Sequence, residues 1–308
     1  MDRKPEYDLI RIVAMLQVIA LHSVSYTPVK IISSSCVVLF VMLSGALRLR
    51  DGVVFSRSKW TRSLLRLLIA FFVTSVCYAI IIEPHGDIRQ TVTNIVIGYY
   101  HLWFLYMIAG LYLCIPILLQ LKKDRNVYRL FLSISIITSI LIPTFDSITC
   151  TDIVGNIMKN LAFLNIGLGY IVFFVIGDII SSRRFSKIQV SMLISAGILS
   201  KILLSVFGIG VGDFDLRQVL YSVACYLLLL TIGRLINPNG VLSKSLRSLS
   251  KQCFLVYLLH AGIIVFLNKG EIDNNWLRFG LTTLISFIMA YIINGMTGRF
   301  RRINTGKQ

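Results

Sequence analysis

The chain has 308 residues, of which 56% are hydrophobic and 15% are charged, and its mean hydropathy is +0.78. Soluble domains carry about 25% charged residues, so this apolar excess is too large for one globular core and predicts that lipid surrounds much of the chain. The formal net charge of +17 would suit nucleic acid in a soluble protein. Here the basic residues are dispersed between apolar runs, which argues against a nucleic-acid partner.

Long apolar segments follow one another along the whole chain. Because a bilayer core needs about 20 mainly apolar residues per helix, each segment is a candidate transmembrane helix. The sequence therefore predicts an all-α polytopic membrane helix bundle of about ten transmembrane helices, in a single integral membrane domain over residues 1–308. The predicted spans are 8–26, 31–49, 64–82, 102–121, 129–145, 161–180, 189–209, 217–236, 253–268 and 277–298.

The distribution of Lys and Arg between the loops is an independent test of this topology. If both termini are cytoplasmic, 23 of the 31 basic residues fall in cytoplasmic loops and tails, and six fall in outer loops. In membrane proteins, Lys and Arg are more frequent in short cytoplasmic loops than in outer loops. Adding or removing one span would destroy the observed alternation of basic and non-basic loops. The bias therefore predicts that both termini are cytoplasmic.

The first span carries three ionisable residues, Asp8, Arg11 and His22. Such groups are costly inside a membrane and indicate function by default. Arg11 and His22 are close to three helical turns apart, so they share a face and are separated by roughly 16 Å along the axis. Asp8 lies one turn before Arg11 and is placed to hold its guanidinium. The helix offers an anion-binding cation and a proton acceptor, although a structural Asp–Arg anchor with a hydrogen-bonded His22 is the alternative.

Two further clusters flank the third and fourth spans. Arg62 and Arg66 share a helix face at the cytoplasmic start of the third span, where positive-inside anchoring and binding of donor phosphates explain them equally well. Tyr100, His101 and Trp103 precede or begin the fourth span on the outer side. Aromatic residues concentrate at membrane interfaces regardless of function, and the same rings are suited to stack on a sugar.

Two later spans also contain ionisable residues. Lys201 lies near the middle of the seventh span, where structural and functional roles are equally plausible. His260 lies in the ninth span beside Tyr257, and a structural role is favoured because acid–base chemistry needs only one base. The six cysteines are far apart and form no C-x-x-C pair, so we expect no metal site.

Five local patterns follow one another along the chain. They are YDLIRIVAMLQVIALH (7–22), LFVMLSGALR (39–48), FSRSKWTRSLLRLL (55–68), HLWFLYMIAGLYLCIPIL (101–118) and FLVYLLH (254–260). With these patterns in this order, the chain resembles the acyltransferase-3 family of integral membrane acyltransferases, whose first helix carries Arg and His with ten residues between them. It looks similar to the short, single-domain bacterial members that O-acetylate surface polysaccharides.

The resemblance implies a function and roles for some of these residues. It implies a bacterial inner (plasma) membrane enzyme that binds acetyl-CoA from the cytoplasm and acts on a cell-surface polysaccharide or lipid-linked glycan outside. His22 is then the catalytic residue and Arg11 contributes to donor binding. Ser44, in the second-helix Ser-Gly element, and Tyr257 with His260, in the Y-L-x-H element, are supporting residues.

Several mechanisms agree with these residues. We expect His22 to act as a general base for direct transfer, because no Ser-His-Asp or G-x-S-x-G signature is present, and an acetyl-histidine intermediate stays open. The alternatives are an acyltransferase that uses succinyl-CoA or another acyl donor, and a transporter of a small polar substrate such as an amino acid. The spans lack paired Gly/Pro interruptions, which is unlike many transporters.

Overall fold

The computed structural model describes residues 4–82, 84, 87–144, 169–206 and 213–304. These residues form helices and connections and contain no β-strand, which confirms the predicted all-α class. Parts of three predicted spans, namely residues 145, 161–168 and 207–209, lie outside the described residues.

Twelve α-helices account for the described part of the chain. A π-helical turn continues α4 (Tyr78–Ile82), another continues α7 (Ile137–Leu141), and a 3₁₀ turn (Tyr100–Leu102) precedes α6. The helices are α1 (Pro5–Ser23), α2 (Thr27–Ser33), α3 (Cys36–Arg48), α4 (Arg57–Cys77), α5 (Ile88–Ile97), α6 (Trp103–Leu121), α7 (Arg125–Ile136), α8 (Ile171–Ser182), α9 (Lys187–Val206), α10 (Leu216–Arg234), α11 (Val241–Lys269) and α12 (Asn275–Asn304).

Seven helical segments in the described residues are long and apolar enough to cross a membrane. α1 is not among them because it carries three charged residues, Glu6, Asp8 and Arg11, in its first two turns. The count of about ten spans and the cytoplasmic termini stay predictions. The seven segments are Thr27–Arg48, Arg57–Ile82, Ile88–Leu121, Arg125–Thr144, Leu216–Arg234, Val241–Lys269 and Asn275–Thr297.

The chain divides into two compact units, which alternate along the sequence. The first unit comprises Met1–Cys36, Ile69–Trp103 and Gly233–Gln308, and the second comprises Val37–Leu68 and Phe104–Ile232. This division reflects which parts of the chain contact one another, and it does not test whether the chain is one functional domain. The single domain over residues 1–308 therefore stays a prediction.

The first unit is built around α1, α11 and α12, which pack against one another. Arg278 of α12 fastens the end of α1, because its Nε donates to the Ser23 carbonyl oxygen at 3.0 Å. The same guanidinium donates to the side-chain oxygens of Asn268 at 2.8 Å and Asn275 at 2.6 Å. The last turn of α1, which carries His22, is thereby held to α12.

The second unit contains a close crossing of α3 and α8. A Cβ atom at Gly45 would lie 1.8 Å from the Phe174 carbonyl oxygen, and one at Gly177 would lie 2.0 Å from the Met42 carbonyl oxygen. Only glycine permits backbones to approach this closely. Ser44 lies beside this crossing in α3 and is partly buried.

The segment before α6 contains a helix that the span predictions did not include. α5 begins at the N-cap Asp87, whose carboxylate accepts from the Arg89 backbone N–H at 3.0 Å. It ends at Gly98, which has a φ of 80° and packs against the Phe71 ring. A positive φ of this size favours glycine.

Candidate active site

Three of the four histidines of the chain converge in the first unit. His22 lies in the last turn of α1, His101 in the 3₁₀ turn before α6, and His260 in the second half of α11. The ring centroids of His22 and His260 are 5.5 Å apart, and those of His101 and His260 are 5.1 Å apart. Packing of segments that are distant in sequence therefore creates an imidazole cluster, formed by His22, His101 and His260.

The three rings of the imidazole cluster differ in exposure. His22 is exposed, whereas His101 is 3% exposed and His260 is fully buried. The His260 Nδ1 lies 2.6 Å from the Tyr257 carbonyl oxygen and must carry a proton to bond there, which leaves Nε2 as the acceptor. That Nε2 and both ring nitrogens of His101 are buried without a hydrogen-bond partner of normal geometry among the described residues. His22 is the one exposed ring of the cluster.

Tyrosine rings surround the imidazole cluster. The Tyr100 ring lies 5.3 Å from the His22 ring and is 51% exposed, and Tyr257 donates its hydroxyl proton to the His101 carbonyl oxygen. A cavity of about 110 Å³ opens beside Tyr100 and has room for a small group rather than a whole ligand. Its walls are Tyr78, Ala79, Asn94, Gly98, Tyr99 and Tyr100.

Tyr78 is a site residue that the sequence did not reveal. Its hydroxyl donates to the Leu258 carbonyl oxygen at 3.0 Å and accepts from the Gly262 backbone N–H at 2.7 Å. These two groups are four residues apart, and an α-helix joins such a pair directly. The hydroxyl therefore bonds to two backbone groups of α11, one on either side of His260. Tyr78 falls within an apolar run, so no sequence signal distinguishes it.

Arg11 lies elsewhere on α1 and has its own partners. Its Nη1 donates to the Ser250 hydroxyl of α11 at 2.9 Å and lies 3.9 Å from an Asp8 carboxylate oxygen. This confirms the predicted pairing of Asp8 with Arg11, whereas Ser250 was not predicted. Arg11 and His22 are eleven residues apart in one continuous helix, or roughly 16 Å, so Arg11 is not part of the imidazole cluster.

The remaining predicted residues are spread over both units. Trp103 begins α6 in the first unit and is 45% exposed. Ser44 and the exposed Arg62 and Arg66 belong to the second unit. Among the described residues, no group of three His, Cys, Asp or Glu side chains could hold a metal ion. The predicted residues that the structure brings into the imidazole cluster and its tyrosine shell are His22, Tyr100, His101, Tyr257 and His260.

The fold and this cluster define a multi-pass helical membrane protein with an exposed imidazole. The model of the acyltransferase-3 family, described as an acyltransferase domain, matches residues 4–295, and the chain belongs to this family. It is therefore a membrane acyltransferase. No curated protein and no solved structure matches the chain significantly.

Proposed function

We propose that this acyltransferase moves an acetyl group from acetyl-CoA to a hydroxyl of a cell-surface glycan, with His22 as the general base. The observation that carries the proposal is the difference in exposure within the imidazole cluster. His22 is exposed, and His101 and His260 are buried behind it. An exposed imidazole that is backed by fixed rings is suited to take a proton from a bound hydroxyl.

The proposed reaction is a direct transfer. His22 accepts the proton of the sugar hydroxyl while the hydroxyl oxygen attacks the thioester carbonyl carbon of the donor. The carbon–sulfur bond then breaks, and the CoA sulfur takes the proton back from His22, so that the products are an acetyl ester and a free thiol. General-base catalysis typically contributes about 10²–10⁴-fold, and the positioning of the two substrates supplies further acceleration.

Several contacts support an acceptor site beside His22. The Tyr100 ring is exposed next to His22, and the Asn94 side chain lines the neighbouring cavity. An aromatic face offers apolar area to a sugar ring, and an amide offers both a donor and an acceptor to its hydroxyl groups. Tyr100, His101 and Trp103 are the proposed acceptor-binding residues, of which Tyr100 and Trp103 are exposed and His101 is buried.

The donor is assigned to the basic residues of the predicted cytoplasmic side. The Arg11 side chain is 28% exposed and is oriented by Asp8 and Ser250, so its charge has a fixed direction. Arginine is well suited to bind phosphate. We assign Arg11 to the phosphates of acetyl-CoA, and Arg62 and Arg66 of the second unit stay predicted donor-phosphate residues. This arrangement fits about ten spans, cytoplasmic termini and a bacterial inner membrane.

Replacement of His22 tests the proposed base. A His22→Ala variant should lose glycan acetylation by about 10²–10⁴-fold while its amount in the membrane stays at the wild-type level. The measurement is the acetyl content of the surface glycan in cells that make equal amounts of each variant. Tyr26→Ala, which truncates an exposed ring just beyond the same helix, is the matched control. Normal acetylation by His22→Ala would remove His22 as the base.

Donor binding is tested separately with purified protein in nanodiscs. Arg11→Ala should raise the KM for acetyl-CoA much more than it lowers kcat, because phosphate binding precedes the chemical step. Acetyl-CoA and succinyl-CoA are compared as donors in the same assay. Use of succinyl-CoA alone would refute the acetyl assignment and leave the role of His22 intact.

A further inference from the structure

Two side-chain hydrogen bonds join helices α11 and α12 of the first unit, one toward each end of their contact. Arg278 Nη1 of α12 donates to Asn268 Oδ1 of α11 at 2.8 Å. Asn294 Nδ2 of α12 donates to Gln252 Oε1 of α11. The later residue of α12 bonds to the earlier residue of α11, so the two helices are antiparallel. The two bonds therefore fix which residues of α11 and α12 lie at the same level.

His260 and Ser286 lie at the midpoint between these two bonds. His260 is eight residues from each bonded residue of α11, and Ser286 is eight residues from each bonded residue of α12. At about 100° per residue, eight residues turn a helix by about 80° beyond two full turns, so each midpoint residue points between its two bonded neighbours. Both side chains are fully buried, as expected at the centre of a contact between two helices. Ser286 therefore lies opposite His260.

The two facing side chains carry complementary hydrogen-bonding groups. The His260 Nδ1 bonds to the Tyr257 carbonyl oxygen, which leaves the His260 Nε2 as an acceptor. Neither this nitrogen nor the Ser286 Oγ has a hydrogen-bond partner in the part of the chain that the structure describes, so the two do not bond to each other directly. Buried polar groups almost always find a partner, either in the protein or in an ordered water molecule. A water molecule between an acceptor nitrogen and a hydroxyl would satisfy both groups.

We propose that Ser286 is a positioning residue, which fixes the ring of His260 through one buried water molecule. The water donates to His260 Nε2 and accepts the proton of the Ser286 hydroxyl. A donor at Nε2 favours the ring orientation in which Nδ1 carries the proton and bonds to Tyr257, over the orientation reached by a half-turn of the ring. The inference rests on the proposed role of His22, because the His260 ring centroid lies 5.5 Å from that of His22 and its orientation then limits that of the base.

Nitrogen-15 NMR of the histidine rings tests this contact without any substrate. The full-length protein is labelled in its histidine rings and placed in nanodiscs, and the His260 signals are assigned through the adjacent backbone. The wild type should show one Nδ1–H tautomer for His260, with an Nε2 signal shifted by a donated hydrogen bond. Ser286→Ala should lose that shift and show both tautomers. If Ser286→Ala does not fold, Ser286→Cys replaces it, because a thiol is a much weaker donor.

The matched control is Thr282→Val. Thr282 lies one turn before Ser286 on α12, and its hydroxyl is also buried without a partner among the described residues. The same register places it opposite Ile264, which has no polar side-chain group. The control therefore removes an equivalent hydroxyl that has no histidine opposite it, and its His260 signals should equal those of the wild type.

Acetyl transfer by the same preparations tests the consequence for the base. One hydrogen bond shifts an equilibrium between two ring orientations by about fivefold, so Ser286→Ala should lower kcat about three- to tenfold and leave the KM for acetyl-CoA unchanged. Unchanged His260 signals in Ser286→Ala would overturn the contact. Changed signals with the kcat of the control would overturn the positioning role. Failure of the proposed function is a separate result, since it appears as normal acetylation by His22→Ala.

Discussion

Replacement of Tyr78 by Phe removes a single oxygen atom from the middle of the first unit. That oxygen makes two hydrogen bonds, to the Leu258 carbonyl and from the Gly262 N–H, and the Tyr78 side chain is 6% exposed. A buried hydrogen bond contributes about 1 kcal/mol net, so the loss of both amounts to about 2 kcal/mol. α11 can recover part of this, because the freed carbonyl and N–H are the pair that a helix joins. We expect Tyr78→Phe to lower the free energy of unfolding by about 1–2 kcal/mol.

The same change should reduce acetyl transfer more than it reduces stability. Loss of the two bonds releases the backbone of α11 on either side of His260, whose ring centroid lies 5.5 Å from that of His22. Displacements of about 1 Å near a reacting group can cost about 100-fold in rate, so we expect kcat to fall roughly 10- to 100-fold. Thermal unfolding and acetyl transfer are measured on the same nanodisc preparation.

The matched control is Tyr291→Phe, which removes the same atom from a ring that is 63% exposed on α12. This variant should equal the wild type in both measurements. If Tyr78→Phe matched the control in stability and in kcat, the Tyr78 hydroxyl would have no role in holding the imidazole cluster.

Three further substitutions test the packing, each by thermal unfolding of purified protein. Gly177→Ala places a methyl 2.0 Å from the Met42 carbonyl oxygen and should cost at least about 1–3 kcal/mol; wild-type stability would contradict the close crossing. Lys122→Met leaves the buried Asp178 carboxylate without its cation and should lower the free energy of unfolding by about 3–5 kcal/mol. Adding Asp178→Leu to this variant should restore most of that loss. Arg278→Ala removes the hydrogen bond to the end of α1. We expect kcat to fall about tenfold and the free energy of unfolding to change by about 1 kcal/mol. An unchanged kcat would show that Arg278 does not hold the end of α1 in place for catalysis.

Properties that depend on near neighbours in sequence were predictable. Apolar runs and sparse charge indicated a membrane helix bundle, and the described residues are helical with seven candidate spans. The pairing of Asp8 with Arg11 follows from helix geometry alone, because residues three apart lie on one face. Membership of the acyltransferase-3 family was also predictable, since its short patterns occur in order along the chain.

Contacts across long sequence separations were not predictable. Ser250, the partner of Arg11, is 239 residues away, and Tyr78 is 184 residues from Gly262. Neither residue has a feature that distinguishes it from other small or aromatic residues of an apolar helix. α5 was missed because its charge and length do not match a span, and its ends depend on Asp87 and Gly98.

The amino-acid sequence by itself determined the membrane class, the helical content and the presence of a histidine and an arginine on the first helix. These follow from the hydropathy of successive segments and from the periodicity of an α-helix, both of which depend only on residues that are close together in the sequence. Only the tertiary structure decided that His22, His101 and His260 share one cluster and that His22 alone is exposed. Which buried groups meet depends on the packing of α1, α11 and the turn before α6, and no spacing within a single helix encodes it.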